Sequence, residues 1–335
     1  MPKKVVKPKA FLRTGRKRAQ GTAQSKRVAT AIRGGKDQAA QVFANRENKN
    51  RRRAAVIKRH VQAARKKAGP EAALTQGLLA SSSTGTLVAE GDSWFDYPLY
   101  DVLKLLGDDY GYEIHTVAHR GDAVEIMAYG GGQLDDFARY LERVLRNGAA
   151  PKAILLSGGG NDVAGETFAM LINHKLSPSP GLSAEILEGV VQQRILLAYV
   201  TILSAVTHLC VKYLGRPVPL IVHGYDHPVP DGRGFLGGWG PLPGPWLEPG
   251  FRKKGYEDLG ERIALAAQLI DAFNAMIAQV SALPEFAHVH YIDLRNTLSN
   301  DPSSYKKWWG NELHPTERGF EAVSARFADV IARLP

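Results

Sequence analysis

Four short stretches hold residues whose types suit acyl-transfer chemistry. "EGDSWFDY" puts a serine, Ser93, after a short apolar run, and "HRGDA" puts Gly121 after a second. "GGGND" puts Asn161 after a third, and "NELHPTERGF" puts His314 before the last helical pattern. A serine hydroxyl attacks a carbonyl only when a base takes its proton, and the oxyanion that forms needs preorganised donors. His314 is a candidate for that base: proline follows it, and Thr316 is suited to cap the helix that begins behind it. The backbone N–H groups of Ser93 and Gly121 and the side-chain amide of Asn161 are candidate oxyanion donors.

Each stretch also has a structural explanation. Gly-Asp-Ser is a common turn, the glycines Gly158 to Gly160 permit close packing, and Asn161 can cap a helix. Their joint occurrence, in order and each at a strand end or helix start, favours the chemical reading.

The elements that must position these residues follow from the apolar pattern. Candidate strands are 86–92, 112–119, 152–160, 218–226 and 288–294, and helical stretches lie at 133–147, 183–214, 256–282 and 316–333. This alternation predicts a parallel sheet covered by helices on both faces, because parallel neighbours need crossover connections. Such a sheet carries its chemistry in the loops leaving the carboxyl ends of the strands. Ser93, Gly121 and "GGND" (159–162) all fall on that edge, as does Asp226 at the end of the fourth strand. Trp94, Phe95 and Tyr97 beside the serine are candidates for the pocket wall, as is Asp226. The Gly-, Pro- and Trp-rich segment 230–251 cannot be regular structure throughout and reads equally as a packed surface loop or as a lid; it contributes Trp239 and Trp246 as further pocket candidates. "HGYDH" (223–227) invites a metal reading, but its spacing matches no helical ligand pair, so no metal and no other cofactor is expected.

The blocks "GDSW", the glycine after the second strand, "GGND" and the terminal His-Pro resemble, in this order, the four sequence blocks of the SGNH (GDSL-type) hydrolase family. The resemblance covers most of residues 86–333. It implies a three-layer α/β/α sandwich with a five-stranded parallel sheet, of flavodoxin-like type, and hydrolysis of an ester. It further implies Ser93 as nucleophile and oxyanion donor, Gly121 and Asn161 as the other donors, and His314 as base. The family usually places an aspartate three residues before the histidine, where this chain has Asn311. Asn311 as an orienting residue, Glu312 as the acid, or a Ser-His dyad are the alternatives. No G-x-S-x-G elbow is present, which argues against the α/β-hydrolase alternative. An esterase, lipase or deacetylase acting on an acyl lipid or an acetylated carbohydrate is therefore expected; the competing reading is a polyanion- or surface-binding protein on an inactive hydrolase-like scaffold, which Asn311 keeps open.

Charge divides the 335-residue chain in two. The net charge is +10, yet residues 1–70 contain 22 Lys and Arg against only Asp37 and Glu47, and the remainder holds 21 basic and 31 acidic residues. A boundary near Gly69-Pro70 is expected, separating a basic arm (1–70), disordered or partly helical, from the hydrolase domain (71–335). Val42, Phe43, Val56, Ile57 and Val61 form a weak apolar stripe on a helical pattern in the arm. Nucleic acid, an anionic membrane or an acidic protein are compatible partners. Deleting residues 1–70 is expected to leave turnover of a small soluble ester nearly unchanged and to abolish salt-sensitive retention on DNA, RNA or acidic vesicles; equal retention of both forms at low salt would remove the reason to assign the arm a partner.

The single cysteine, Cys210, requires no oxidising compartment. No Sec-type signal is seen, so a cytoplasmic location is the default expectation and export by a non-Sec route the alternative. The charge-free run 195–211 is at the short edge for spanning a bilayer and reads as a helix buried against the sheet.

Overall fold

The computed structural model describes residues 44, 47–63, 66, 83–146, 150–238 and 242–334. Five strands form one parallel sheet: β1 (Thr86–Glu90), β2 (Glu113–Thr116), β3 (Ala153–Leu156), β4 (Leu220–His223) and β5 (Val289–Ile292). Their order is β2-β1-β3-β4-β5. β3 and β4 are buried along their whole length, which is why they read as continuous apolar runs, whereas β2 at the edge keeps exposed polar residues.

Helices make the crossovers. α1 (Val102–Asp108) joins β1 to β2, while α2 (Val124–Tyr129) and α3 (Gln133–Arg146) lie between β2 and β3. α4 (Leu196–Leu214) precedes β4, α5 (Leu259–Ser281) precedes β5, and α6 (Glu317–Arg333) follows it. α1 packs with α6, and α2, α3 and α5 pack with α4, so the sheet is the middle of three layers. The strand order reverses between β1 and β3. At such a switch point the loops after the two strands diverge and leave a crevice at the carboxyl edge.

Ala184–Leu214 and Leu259–Ser281 are each long and apolar enough to cross a membrane. Here both cover the sheet: Tyr199, Ile202, Leu203 and Cys210 of the first, and Leu269, Phe273 and Met276 of the second, are buried. The described residues of segment 230–251 are irregular apart from a single turn at Phe235–Gly237, and its last residues open a short helix, Glu248–Lys253, with Pro249 in the first turn where its missing N–H costs nothing.

Of the basic arm, residues 47–63 are helical where described, and Val42 and Phe43 lie outside the described residues. Two compact units divide between Arg52 and Arg53, inside the basic segment. Within the larger one, Val56 and Ile57 close over Gly111, and Arg53 Nη2 donates to the Tyr112 carbonyl at 3.4 Å.

Candidate active site

Ser93 sits in the tight turn that leaves β1, and the turn is held from below by Asp92. That carboxylate is 2% exposed. Its Oδ1 accepts from the Trp94 N–H at 3.0 Å and the Ser157 hydroxyl at 2.7 Å, and its Oδ2 accepts from the Tyr225 hydroxyl at 2.5 Å. Ser157 directly follows β3 and Tyr225 follows β4, so residues beside three adjacent strands fix the position of one serine.

His314 reaches Ser93 from the other end of the domain. Its Nε2 lies 2.7 Å from Ser93 Oγ, and its Nδ1 lies 3.0 Å from Asn311 Oδ1. The Asn311 oxygen also accepts the backbone N–H groups of Leu313 and His314, both at 2.9 Å, while Asn311 Nδ2 donates to the Tyr97 hydroxyl at 3.0 Å. An oxygen surrounded by donors makes Nδ1 the protonated nitrogen of a neutral ring, which leaves the Nε2 lone pair facing the serine hydroxyl. Tyr97 stacks on the imidazole with ring centres 4.4 Å apart, and Trp246 meets it edge-on at 5.6 Å. Burial lowers the ring's pKa from its ordinary value to about 3. The His-Pro step is followed by Thr316, whose hydroxyl accepts from Gly319 N–H at 3.2 Å and caps α6.

Glu312 is turned elsewhere. Its carboxylate accepts backbone N–H groups of Gly232, Trp246, Leu247 and Glu248 at 2.6–3.0 Å. Of the two candidate partners of the imidazole, Glu312 therefore binds backbone of the 230–251 segment, and Asn311 is the one whose oxygen faces Nδ1. Although those bonds oppose it, burial raises the Glu312 carboxyl above its usual range.

Gly121 and Asn161 border the same groove as Ser93 and His314. Gly121 has φ +89°, a backbone conformation that side chains disfavour, and no atom lies near the position of a Cβ there. Asn161 is the second residue of the single helical turn Gly160–Val163 after β3, and its Nδ2 donates to the Asp122 carbonyl at 2.9 Å. An amide nitrogen carries two hydrogens, so one bond to the loop leaves the second for a bound oxyanion. Asp162 ties the same loop down by accepting the N–H groups of Val124 at 2.8 Å and Glu125 at 3.2 Å. Gln133 adds a third tie, donating to Asp122 at 2.6 Å and to buried Glu90 at 3.3 Å. Burial, with the nearby Asp122 charge, pushes the Glu90 carboxyl up to about 8.

The remaining pocket candidates divide. Tyr97 and Trp246 wall the groove, and Trp94 lines a second, narrower cavity while donating its indole N–H to the Leu313 carbonyl at 3.1 Å. Phe95 is a core residue, 2% exposed, packed on His223 and Phe327, because the turn after Ser93 directs it back into the sheet-helix interface. Asp226 borders the narrow cavity, but its carboxylate accepts the N–H groups of His227, Asn296, Thr297 and Leu298, so it chiefly holds the loop after β5. Trp239 lies outside the described residues. Asp92, Ser157, Tyr225 and Asp162 were not singled out from sequence. For Asp92 and Asp162 the signal was present, since an aspartate beside a site residue in a tight turn is a standard acceptor for nearby backbone N–H groups.

A doubly covered parallel sheet with serine, glycine, asparagine and histidine gathered at its switch point is the architecture of an SGNH-type hydrolase. A family model described as GDSL-like lipase/acylhydrolase matches residues 74–322, and the chain belongs to that family. No curated protein matches it. Among solved structures it is similar to a catalytic mutant of Axe2, an acetylxylan esterase from Geobacillus stearothermophilus, with 13% identity, 75% of this chain and 95% of that one covered, and a TM-score of 0.38. It is also similar to an extracellular lipase from Streptomyces rimosus, with 16% identity, coverage of 75% and 99%, and a TM-score of 0.42. A third likeness is a member of the lipolytic G-D-S-L family from Veillonella parvula, with 14% identity, coverage of 74% and 99%, and a TM-score of 0.40.

Proposed function

We propose that the protein is a serine hydrolase of carboxylic esters that works through a Ser93-His314 pair and an acyl-enzyme. The observation that carries this reading is the 2.7 Å contact of His314 Nε2 with Ser93 Oγ, with Nδ1 held on Asn311. His314 takes the hydroxyl proton as Ser93 attacks the ester carbonyl. The oxyanion is met by the N–H groups of Ser93 and Gly121 and by the Asn161 amide. Collapse of the tetrahedral intermediate breaks the bond to the alkoxy oxygen, which leaves with the proton from His314. Water, deprotonated by the same imidazole, then releases the acid and restores Ser93. The test is alcohol and acid release from an ester panel, together with covalent labelling by an alkyl fluorophosphonate mapped by mass spectrometry. Label on Ser93 and turnover support the reading; turnover without label at Ser93 overturns it.

The neutral partner of His314 has a measurable consequence. Activity is lost only as the imidazole protonates, and burial lowers its pKa to about 3, so the acid limb of kcat/KM is expected well below pH 6.5. Asn311→Asp places a carboxylate at Nδ1, favours the imidazolium and shifts that limb upward, toward neutral pH. The same charge stabilises the imidazolium formed in the transition state, so the plateau rate is expected to rise. A wild-type limb at pH 6.5 or above, unmoved in the variant, would show that this ring is not the titrating base.

A further inference from the structure

Two spaces open from Ser93, and they differ several-fold in size. One is a narrow cavity of about 50 Å³ between α5 and the segment after β3, walled by Val163, Ala164, Phe168, Ala266, Leu269 and Ile270. The other is a groove of about 300 Å³ walled by Tyr97, Phe235 and Trp246. Both are bordered by Ser93, Asn161 and His314. An ester presents two limbs at the carbon that is attacked. A nucleophile flanked by two spaces therefore seats one limb in each.

Resting on the assignment of Ser93 as nucleophile, we propose that the narrow cavity receives the acyl limb and restricts the enzyme to short acyl groups on a bulkier alcohol. The walls decide which limb goes where. Phe168, Ala266, Leu269 and Ile270 of the cavity are all buried, whereas the groove has an exposed rim at Pro98, Arg120 and Gly121. The alcohol must depart and water must enter while the acyl group is still bound to Ser93. An exposed rim suits the limb that leaves, and buried walls suit the limb that stays.

Size sets the chain length. One water needs about 10–15 Å³ on this scale, so the cavity has room for roughly three to five waters, each occupying about the space of one methylene. An acyl chain of about two to four carbons fits; one of about ten does not.

The experiment uses the full chain and 4-nitrophenyl esters of acetate, butyrate, hexanoate and decanoate. Acetate and butyrate are expected to exceed decanoate in kcat/KM by at least about 100-fold, since a pocket without space for the added methylenes rejects them steeply. Leu269→Ala lengthens the cavity and is expected to lower the acetate-to-hexanoate ratio about tenfold; Ala266→Val narrows it and is expected to depress butyrate against acetate by a similar factor. Ratios of kcat/KM do not depend on the fraction of enzyme folded, and if the Leu269 variant does not fold, the Ala266 variant carries the test alone. Preference for decanoate in the wild type overturns the proposal, as do acyl ratios unchanged in the folded variants. It is overturned too if the variants alter the preference between methyl and naphthyl acetates while acyl ratios stand, since the limbs then sit the other way round. In each of these cases turnover persists and the serine reading survives. Absence of turnover on every ester, with no fluorophosphonate label on Ser93, removes that reading and this proposal together.

Discussion

Ser93→Ala is expected to lower kcat for ester hydrolysis by about 10⁴–10⁶-fold, the range found when a serine nucleophile is removed and only oxyanion donors and binding remain. The side chain is partly exposed, and its hydrogen bond is to His314 rather than to the core. The turn that carries it is fixed by Asp92, Ser157 and Tyr225, none of which the substitution touches. Thermal stability is therefore expected to change by no more than about 0.5 kcal/mol. Steady-state rates and melting curves on the same preparation check both halves. A variant that keeps wild-type turnover ends the proposed mechanism, and one that loses turnover only by unfolding fails to support it.

Asn161→Ala is expected to reduce kcat by about 10²–10³-fold with KM little changed, as for loss of one preorganised donor to a developing oxyanion. The amide also bonds the Asp122 carbonyl, next to Gly121, so part of the loss acts through the neighbouring donor. The loop keeps its other ties to Asp162 and Gln133. The kcat and KM split is the deciding measurement. A rise in KM at constant kcat would mean that Asn161 binds the ground state and does not stabilise the oxyanion.

The five strands and the four long helices were legible because burial on both faces or on one stripe imposes a period that survives in the sequence. α1 was not. At seven residues it is shorter than two turns, and its start is set by Asp101 accepting from Lys104 N–H at 2.7 Å rather than by any apolar repeat. Ser93, Gly121, Asn161 and His314 could be named because each punctuates an element, and the structure gathers them at one edge. The choice between Asn311 and Glu312 could not be made along the chain. It depends on where four backbone N–H groups of a distant loop converge, and those groups carry no sequence signature. Phe95 illustrates the opposite difficulty: an aromatic two residues from the serine is equally suited to a pocket or a core, and only the direction of the turn decides.

Ser93 and His314 are separated by 221 residues, and their contact closes almost the whole sheet-forming part of the chain into one loop. Long-range closures of this kind cost chain entropy that is recovered only once the intervening elements have docked. On the proposed mechanism, ester turnover is in consequence a late reporter of folding. During refolding, helical signal from α4 and α5 should return before activity does, and the lag between the two would time the arrival of the segment bearing His314. The same geometry is expected to make activity an early casualty of local opening: fraying of α6 would withdraw His314 from a serine whose own turn, pinned by residues beside β1, β3 and β4, is still in place.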